Sequence, residues 1–369
     1  MKILILNRHN SSAVNGLKKI ILSFIDLCNN DNRKIFYYGM QQTGPLTKSI
    51  KNKNFIIHFN IKRDISIMSD LYNIIKLIFI SYKYKIDIVH AHAAKPGMIA
   101  RVASIFSPIK VIYTPNNWYF EGQKGFKKFL FLSLEKFLSF IPKQTIVAVT
   151  ESEKNMIFSK INKRLNVKII PDGIDFNSLN KSSLHDNDYY NLKKLKNNKK
   201  IIGSIIRLDN QKNPLEILKY AKFLRTNNNL YFYIIGDGSL MTECKNFIHE
   251  HSLNNVFLAG FKENYSSFYD LFDYTLFTSK NEGLPLIMIE SIYNNTKIIS
   301  KEFRGAEDFV SSERGKILTS DSSYKRAFEL QKYIKNDMDT LEINSEAFVH
   351  QFSRETMIEK YLKIYDDTI

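Results

Sequence analysis

Two glutamates in one short segment are the strongest chemical feature of the sequence. Glu282 lies in a predicted loop, and Glu290 lies about one and a half turns into the helix predicted to follow. Gly283 favours a tight turn, and Pro285 suits the first helical position, where a missing N–H costs nothing. The free N–H groups and the positive dipole end of such a helix bind phosphate oxygens. Two carboxylates at this spacing can bracket a sugar nucleotide, with one at the hexose and one at the ribose hydroxyls.

Arg207 and Lys212, after the first strand predicted for the second half of the chain, supply matching cations. Two fixed positive charges stabilise the charge that develops on a departing diphosphate, the role that a metal ion plays elsewhere. We therefore expect no metal ion and no other cofactor. Two Asp-x-Asp sequences, Asp186-Asn187-Asp188 and Asp337-Met338-Asp339, lie in a polar stretch and in a late helical region, and we interpret both as surface acids.

Polar residues follow several further predicted strands, and ligands of open parallel sheets bind beyond the carboxyl ends of the strands. His90 and His92 follow one strand, Asn116 follows the next, and Gly236 ends a strand of the second half. The histidines point to the same side of an extended chain, and a structural role and a substrate role are equally supported. Zinc is disfavoured because no cysteine or third histidine accompanies them. Gly236-Asp237-Gly238 is not a dinucleotide fingerprint, since Met241 replaces the third glycine.

Strand-like runs alternate with helix-length segments along the chain, which is typical of an α/β protein with parallel sheets. In the first half the pattern predicts strands over residues 2–7, 34–38, 55–59, 87–91, 111–114, 145–150 and 167–171, and helices over 16–28, 69–83 and 97–106. The pattern restarts with strands over residues 200–207, 231–236, 256–259, 274–278 and 297–300, and helices over 214–225, 239–251 and 285–294. Two such sheets imply two domains, with a cleft between them as the expected active site.

The stretch 177–200 is poor in apolar residues and rich in Asn, Lys, Ser and Asp, so we place the domain boundary there. The expected domains are residues 1–178, which bind the acceptor, and residues 179–345, which bind the nucleotide sugar. Residues 346–369 are expected to form a terminal helix that can pack on either domain and can cross back to the first.

Several motifs, in order along most of the chain, together resemble the family 4 retaining glycosyltransferases. Glu282 and Glu290 match the E-x7-E motif in its EGLP setting, and Arg207 with Lys212 looks like the Arg-x4-Lys stretch. Weaker matches are Ile235-Gly236-Asp237-Gly238, Val256–Phe261 and Ile169–Asp175. The resemblance implies the GT-B fold, with two Rossmann-like parallel-sheet domains facing a cleft. The stretch Asp87–Gly97 is similar to bacterial members that build capsular polysaccharide or lipopolysaccharide.

Carried over by position, the resemblance implies roles for individual residues. Arg207 and Lys212 would hold the donor diphosphate, with Glu282 at the transferred sugar and Glu290 at the ribose. Backbone at Gly16 would approach the donor phosphate. The remaining expected donor residues are Gly236, Phe261, Gly283, Leu284 and Pro285, and the expected acceptor-side residues are His90, His92 and Asn116.

One position departs from the family pattern. Many members carry a histidine in a Thr-x-His loop, where this chain has Thr114-Pro115-Asn116. An asparagine forms hydrogen bonds but does not titrate, so a proton-relay role at this position is in doubt.

The resemblance implies a metal-independent hexosyltransferase that moves a hexose or N-acetylhexosamine from a nucleoside diphosphate sugar, with UDP as the default nucleotide. Its acceptor would be a glycan or a lipid-linked glycan of surface polysaccharide synthesis. The alternatives are a non-catalytic GT-B subunit that positions an acceptor for a partner enzyme, and a nucleic-acid binder. The intact charged residues argue against the former, and the lack of zinc spacing or an RNP-like motif argues against the latter.

Composition and charge bound the remaining questions. The 369 residues carry a net charge of +16, with 44% hydrophobic residues, which excludes a disordered chain. Residues 1–190 hold 28 Lys and Arg against 13 Asp and Glu, whereas residues 191–369 hold 25 against 24. The basic half predicts an anionic partner, although a lysine-rich composition bias is an alternative. Two cysteines and the lack of a signal peptide or long apolar run favour the cytoplasm.

A basic, aromatic segment within the first half bears on that partner. Residues 125–141 carry Lys127, Lys128 and Lys136 among Phe and Leu. Such a helix can lie in a membrane interface, where it would meet a lipid-linked acceptor, or it can pack on the first sheet. We expect a cytoplasmic protein. If the helix lies in a membrane interface, the protein makes peripheral contact with the inner face of an anionic membrane.

Overall fold

The computed structural model describes residues 1–7, 35–40, 56–62, 66–179, 186–337 and 346–368. Two compact units are present: unit 1 comprises Met1–Ile174 with Gln351–Ile369, and unit 2 comprises Asp175–His350. The predicted helix over residues 16–28 and Gly16 itself lie outside the described residues.

Unit 1 is built on a seven-stranded parallel sheet in the order β3-β2-β1-β4-β5-β6-β7. Its strands are β1 (Lys2–Leu6), β2 (Ile35–Met40), β3 (Ile56–His58), β4 (Ile88–His92), β5 (Lys110–Thr114), β6 (Gln144–Ala148) and β7 (Val167–Ile169). The described helices between them are α1 (Ile67–Tyr84), α2 (Ala94–Ile105), α3 (Gly125–Leu138) and α4 (Glu151–Lys160). Apolar runs such as Ile3–Leu6 are fully buried, as expected for parallel strands covered on both faces.

Unit 2 repeats the arrangement with a six-stranded parallel sheet in the order β10-β9-β8-β11-β12-β13. Its strands are β8 (Lys200–Ile205), β9 (Leu230–Ile235), β10 (Val256–Gly260), β11 (Tyr274–Phe277), β12 (Lys297–Lys301) and β13 (Gly315–Leu318). The helices are α5 (Asn187–Lys196), α6 (Pro214–Phe223), α7 (Met241–Glu250), α8 (Leu286–Tyr293), α9 (Ser323–Asn336) and α10 (Glu346–Gln351). The predicted α/β class with two parallel-sheet domains is confirmed.

The polar stretch 177–200 contains more structure than its composition indicated. Helix α5 occupies much of it, capped by the Asp186 side chain, which accepts a hydrogen bond from the Asp188 N–H at 2.8 Å. Leu192 is fully buried in a cluster with Phe268 and Phe272 of unit 2. Because only one residue of the helix, Leu192, is buried, its other positions are mostly polar, and its composition therefore resembles that of a linker.

The final helix, α11 (Arg354–Thr368), belongs to unit 1. Ile174 and Ser353 form a parallel bridge, in which the Ile174 N–H donates to the Phe352 carbonyl at 2.8 Å and the Arg354 N–H donates to the Ile174 carbonyl at 2.9 Å. Tyr361 and Tyr365 are buried in unit 1. The terminal helix therefore returns to the first domain, as the GT-B resemblance implied.

Candidate active site

The loop after β8 is organised by one aspartate. The Asp209 carboxylate accepts hydrogen bonds from the Lys212 backbone N–H at 2.9 Å and from the Arg207 guanidinium Nε. Asn213 adopts a left-handed φ of 56° before Pro214 begins α6, which turns the chain sharply. Sequence analysis did not identify Asp209, although its position between the two cations was visible.

Lys212 contacts Glu282 directly, with its Nζ 2.5 Å from the carboxylate Oε1. These residues follow β8 and β11, which are neighbours in the sheet. The backbone joins their loops as well, because the Lys280 N–H donates to the Gln211 carbonyl at 2.9 Å. Glu282 is only 7% exposed. Two charged residues predicted from separate motifs therefore share one largely buried contact.

The entry to α8 differs from the prediction. The helix begins at Leu286, and Pro285 precedes it as the cap residue, with φ −78° and ψ 90°. The expectation that Pro285 occupies the first helical position is wrong by one residue, because the φ of proline suits both places. Gly283 has no positive φ, so its backbone conformation does not itself require glycine. Gly283, Leu284 and Pro285 are buried between Glu282 and the first turn of the helix.

Glu290 is almost completely buried, with 1% of its surface exposed. Two tyrosines of the 3-10 segment Tyr265–Leu271 hold its carboxylate. The Tyr265 hydroxyl donates to Oε1 at 3.1 Å, and the Tyr269 hydroxyl lies 3.4 Å from Oε2. Burial, followed by the charge of Glu290, raises the pKa of both tyrosines above the usual value, so they stay protonated donors. The sequence signal for them was the Tyr-x3-Tyr spacing alone.

Gly236 and Phe261 directly follow the neighbouring strands β9 and β10. Gly236 has φ 143°, and a Cβ atom there would lie 1.8 Å from the Ile206 carbonyl oxygen, so only glycine allows this approach of the strand ends. Phe261 follows Gly260, and its ring is 68% exposed. An exposed aromatic ring at the carboxyl edge of the sheet offers a flat apolar surface to a ligand.

The two histidines of unit 1 lie at the end of β4, fully buried, with ring centroids 4.1 Å apart. His90 is engaged at both ring nitrogens, by the Tyr365 hydroxyl at 2.7 Å and by the Thr114 hydroxyl at 2.9 Å. Burial, reinforced by repulsion from His92, lowers the pKa of His90 well below its usual value. Burial also lowers the pKa of His92 to about 3, so both rings are neutral at physiological pH. This geometry favours the structural reading of His90.

Asn116 adopts a left-handed φ of 58° after β5. Among the described residues, its buried side-chain amide has no hydrogen-bond partner, and the same holds for the amide of Asn7 at the end of β1. Buried amides of this kind are costly unless a partner satisfies them. The carboxyl edge of the unit 1 sheet therefore carries two amides suited to a polar ligand.

Asp172, after β7, is a buried carboxyl that sequence analysis treated only as part of a motif. Burial, followed by repulsion from Glu153, raises the pKa of Asp172 to about 7. Glu153 is itself buried and accepts hydrogen bonds from the Trp118 indole at 2.6 Å and from the Val149 N–H at 2.7 Å. The only sequence signal for Asp172 was its place in the Pro-Asp-Gly turn.

The described acids of the two Asp-x-Asp sequences form ion pairs with lysines of unit 2. Asp186 and Asp188 both pair with Lys262, at 2.9 and 2.6 Å. Asp337 pairs with Lys297 and accepts from the Tyr274 hydroxyl at 2.7 Å, so it is largely buried and the surface interpretation of it was wrong. Asp339 lies outside the described residues.

Within the part of the chain that the structure describes, no cluster of three His, Cys, Asp or Glu side chains could hold a metal ion. No helix among the described residues has the length and apolarity to cross a bilayer.

Comparisons with known proteins match both halves of the chain. The family model "Glycosyltransferase Family 4" matches residues 38–178, and "Glycosyl transferases group 1" matches residues 190–347. An Escherichia coli UDP-Gal:alpha-D-GlcNAc-diphosphoundecaprenol alpha-1,3-galactosyltransferase is 26% identical over 81% of this chain and 79% of its own. The Staphylococcus aureus capsular polysaccharide biosynthesis glycosyltransferase CapM is 28% identical over 83% of each. The fold matches Anabaena HepE, solved in complex with UDP, with a TM-score of 0.77 and 18% identity over the full length of both chains.

Proposed function

This chain belongs to the family 4 glycosyltransferases of GT-B fold, and on that premise we propose that it transfers a hexose or N-acetylhexosamine from a UDP-sugar. The acceptor is a glycan or a lipid-linked glycan in surface polysaccharide synthesis. The contact between Lys212 and Glu282 carries the proposal, because it brings the two charged motifs together at the carboxyl edge of one sheet. The relatives that act in capsule synthesis and on a diphosphoundecaprenol-linked sugar support the acceptor class.

Arg207 and Lys212 would stabilise the departing diphosphate. As the bond between the anomeric carbon and the diphosphate oxygen breaks, negative charge grows on that oxygen, and fixed cations beside it lower the barrier. Lys212 has three N–H donors, so it can keep its contact with Glu282 and also bind a phosphate oxygen. Glu282 would then accept hydrogen bonds from hydroxyl groups of the transferred sugar.

The remaining donor residues would bind the nucleoside and the phosphates. We place the ribose hydroxyls at Glu290, whose carboxylate Tyr265 and Tyr269 hold in position. The exposed ring of Phe261 offers a surface to the base. The backbone at Gly236 and from Gly283 to Pro285 would line the phosphates near the start of α8.

Metal independence and retention at the anomeric carbon are further parts of the proposal. Arg207, Lys212 and the N-terminus of α8 supply the positive charge that a metal ion would otherwise give to the diphosphate. Retention follows the pattern of the family that the motifs resemble. On the acceptor side we propose that Asn116 contacts the acceptor, because its buried amide has no hydrogen-bond partner among the described residues. We also place the enzyme at the inner face of the cytoplasmic membrane, where a lipid-linked acceptor would be found.

The test is a hydrolysis screen of the purified protein against a panel of sugar nucleotides, with detection of the released diphosphate. We expect slow release of UDP from one UDP-sugar, continuing in excess EDTA. Loss of activity in EDTA that Mg²⁺ or Mn²⁺ restores would contradict metal independence. The anomeric configuration of the product, read from the NMR coupling constant, tests retention. A protein that binds glycan but releases no diphosphate from any donor would instead be the non-catalytic subunit.

A further inference from the structure

Helices α1 and α3 of unit 1 each expose an apolar stripe. On α1 the exposed side chains recur every three or four residues, which puts them on one side of the helix. Their exposed fractions run from 51 to 80%, and they are Ile67, Met68, Leu71, Tyr72, Ile75, Phe79 and Tyr82. On α3 and up to two residues beyond its end, the fractions run from 37 to 79%, for Phe126, Phe129, Leu130, Leu134, Phe137 and Phe140. Only Glu135 and Leu138 of α3 are buried.

The two stripes belong to one side of the sheet. The chain moves in the same direction across the sheet from β3 to β4, β5 and β6, so right-handed crossovers place α1, α2 and α3 on the same face. Helix α2 contacts both of the others. At its end Ile105 and Phe106 are exposed, and the Tyr82 hydroxyl donates to the Phe106 carbonyl at 3.2 Å. We call these stripes, together with Ile105 and Phe106, the lysine-aromatic face.

The exposed charges on this face have one sign. Lys83, Lys127, Lys128 and Lys136 are exposed, and Lys76 is half-buried. The acids of the same helices are buried in ion pairs: Asp70 lies 3.0 Å from the Lys95 ammonium, and Glu135 lies 2.9 Å from the Arg101 guanidinium. On the three helices, all of whose residues the structure describes, every exposed charged side chain is therefore a lysine.

We propose that the lysine-aromatic face lies in the interface of an anionic bilayer, with both α1 and α3 in contact with lipid. Aromatic and aliphatic side chains enter the boundary of the acyl chains, and lysine ammonium groups pair with anionic headgroups. A second copy of the chain fits less well, because a two-fold dimer would set the lysines of this face against themselves with no acid to pair them. Unit 1 as a whole has 30 Lys and Arg against 14 Asp and Glu, whereas unit 2 has 23 of each. The inference rests on the membrane location proposed above and deepens it, because it names the docking surface, which is distant in sequence from the donor residues.

The experiment is co-sedimentation of the full-length protein with vesicles. Vesicles of phosphatidylcholine mixed with phosphatidylglycerol should bind the wild type at low salt, and pure phosphatidylcholine should bind it much more weakly. High salt should weaken the binding without abolishing it, because the apolar contribution is not screened.

Paired variants separate the contributions of charge and of each helix. K127E/K128E should lower the partition coefficient about 25-fold or more at low salt, since each lysine contributes about fivefold. The matched control K193E/K194E makes the same charge change at exposed lysines of α5 in unit 2, and it should bind like the wild type. I75S/F79S on α1 and F126S/F129S on α3 should each lower binding about tenfold or more through lost apolar burial. Y324S/F328S on α9 of unit 2 is the control for the removal of exposed apolar side chains.

The outcomes distinguish the proposal from its competitors. If I75S/F79S binds the vesicles as strongly as the wild type, α1 is not part of the docking surface. If K127E/K128E and K193E/K194E lose binding equally, the net charge of the protein alone explains the binding. If the wild type ignores anionic vesicles but forms a dimer by light scattering that F126S/F129S dissociates, the face is a protein interface and the proposal fails. Release of diphosphate from a soluble donor should be unchanged in all these variants. If the wild type itself releases no diphosphate from any donor, that result would instead count against the proposed chemistry.

Discussion

At the donor site proposed above, a lysine ammonium and a glutamate carboxylate share one largely buried contact. Lys212→Ala should lower turnover by 10²-fold or more, on the order of 3 kcal/mol, because it removes a cation from the point where leaving-group charge develops. Arg207→Ala should act similarly, and it leaves its partner Asp209 with access to solvent. Turnover is measured at saturating donor, with circular dichroism as the check on folding.

The matched control is Lys193→Ala, which removes an exposed lysine of α5 and should leave turnover unchanged. Near-wild-type turnover in both Lys212→Ala and Arg207→Ala would show that these residues do not bind the diphosphate.

Asp172 should make the stability of the protein depend on pH. Its pKa is raised by burial to about 7, whereas an unfolded aspartate titrates near 4, so between these values the folded state holds one more proton. The free energy of unfolding therefore falls as pH rises across that window, by at most about 1.4 kcal/mol per pH unit. Asp172→Asn removes this term, so the melting temperature of the variant relative to wild type should rise from pH 5 to pH 8.

The same substitution at the half-exposed Asp175, three residues along the chain, is the control, and the trend in Asp172→Asn is compared with it at each pH. A constant difference in melting temperature between Asp172→Asn and wild type at all pH values would mean that Asp172 is ionised throughout.

At the scale of elements, the strands were predictable because a parallel strand buried on both faces is a continuous apolar run. Ile3–Leu6 and Leu230–Ile235 show this pattern plainly. Strand β13 was missed because Gly315–Leu318 has four residues and a lysine among them. Helix α5 was missed because one buried leucine holds it.

The contacts between side chains of the candidate site could not be predicted from the sequence. Lys212 and Glu282 are separated by 70 residues, and each motif predicts a ligand contact but not the contact between them. The two tyrosines at Glu290 likewise come from another element, 25 and 21 residues earlier in the chain.

The return of α11 to unit 1 gives the buried His90 a partner, and that contact should support the stability of the unit. Tyr365→Phe removes the hydroxyl 2.7 Å from the His90 Nδ1 atom and so breaks a hydrogen bond between two buried side chains. We expect a loss of about 1–3 kcal/mol in the free energy of unfolding of unit 1. Denaturant unfolding followed by the fluorescence of Trp118, the single tryptophan of the chain, measures it.

Tyr190→Phe, at a tyrosine 49% exposed in unit 2, is the control and should leave the Trp118 transition unchanged. An unchanged Trp118 transition in Tyr365→Phe as well would mean that α11 contributes nothing through this hydrogen bond.

At the scale of the whole molecule, the chain forms two compact units with separate cores. Each unit has its own buried apolar cluster, and every described residue proposed to bind the donor lies in unit 2. A ligand stabilises only the folded state that binds it, by about 2.7 kcal/mol at a concentration 100 times its Kd. UDP should therefore raise the melting midpoint of unit 2, followed by circular dichroism, by roughly 5–10 °C.

Trp118 is buried in unit 1, so its fluorescence follows that unit separately and should show a smaller shift with UDP. Uridine at the same concentration is the control and should shift neither transition strongly, because it lacks the diphosphate that Arg207 and Lys212 would bind. Equal shifts of both transitions would mean that residues of unit 1, such as Gly16, hold the nucleotide as firmly as unit 2 does. A shift confined to the Trp118 transition would place the nucleotide on unit 1 and overturn the assignment of the donor site, because none of the charged donor residues belongs to that unit.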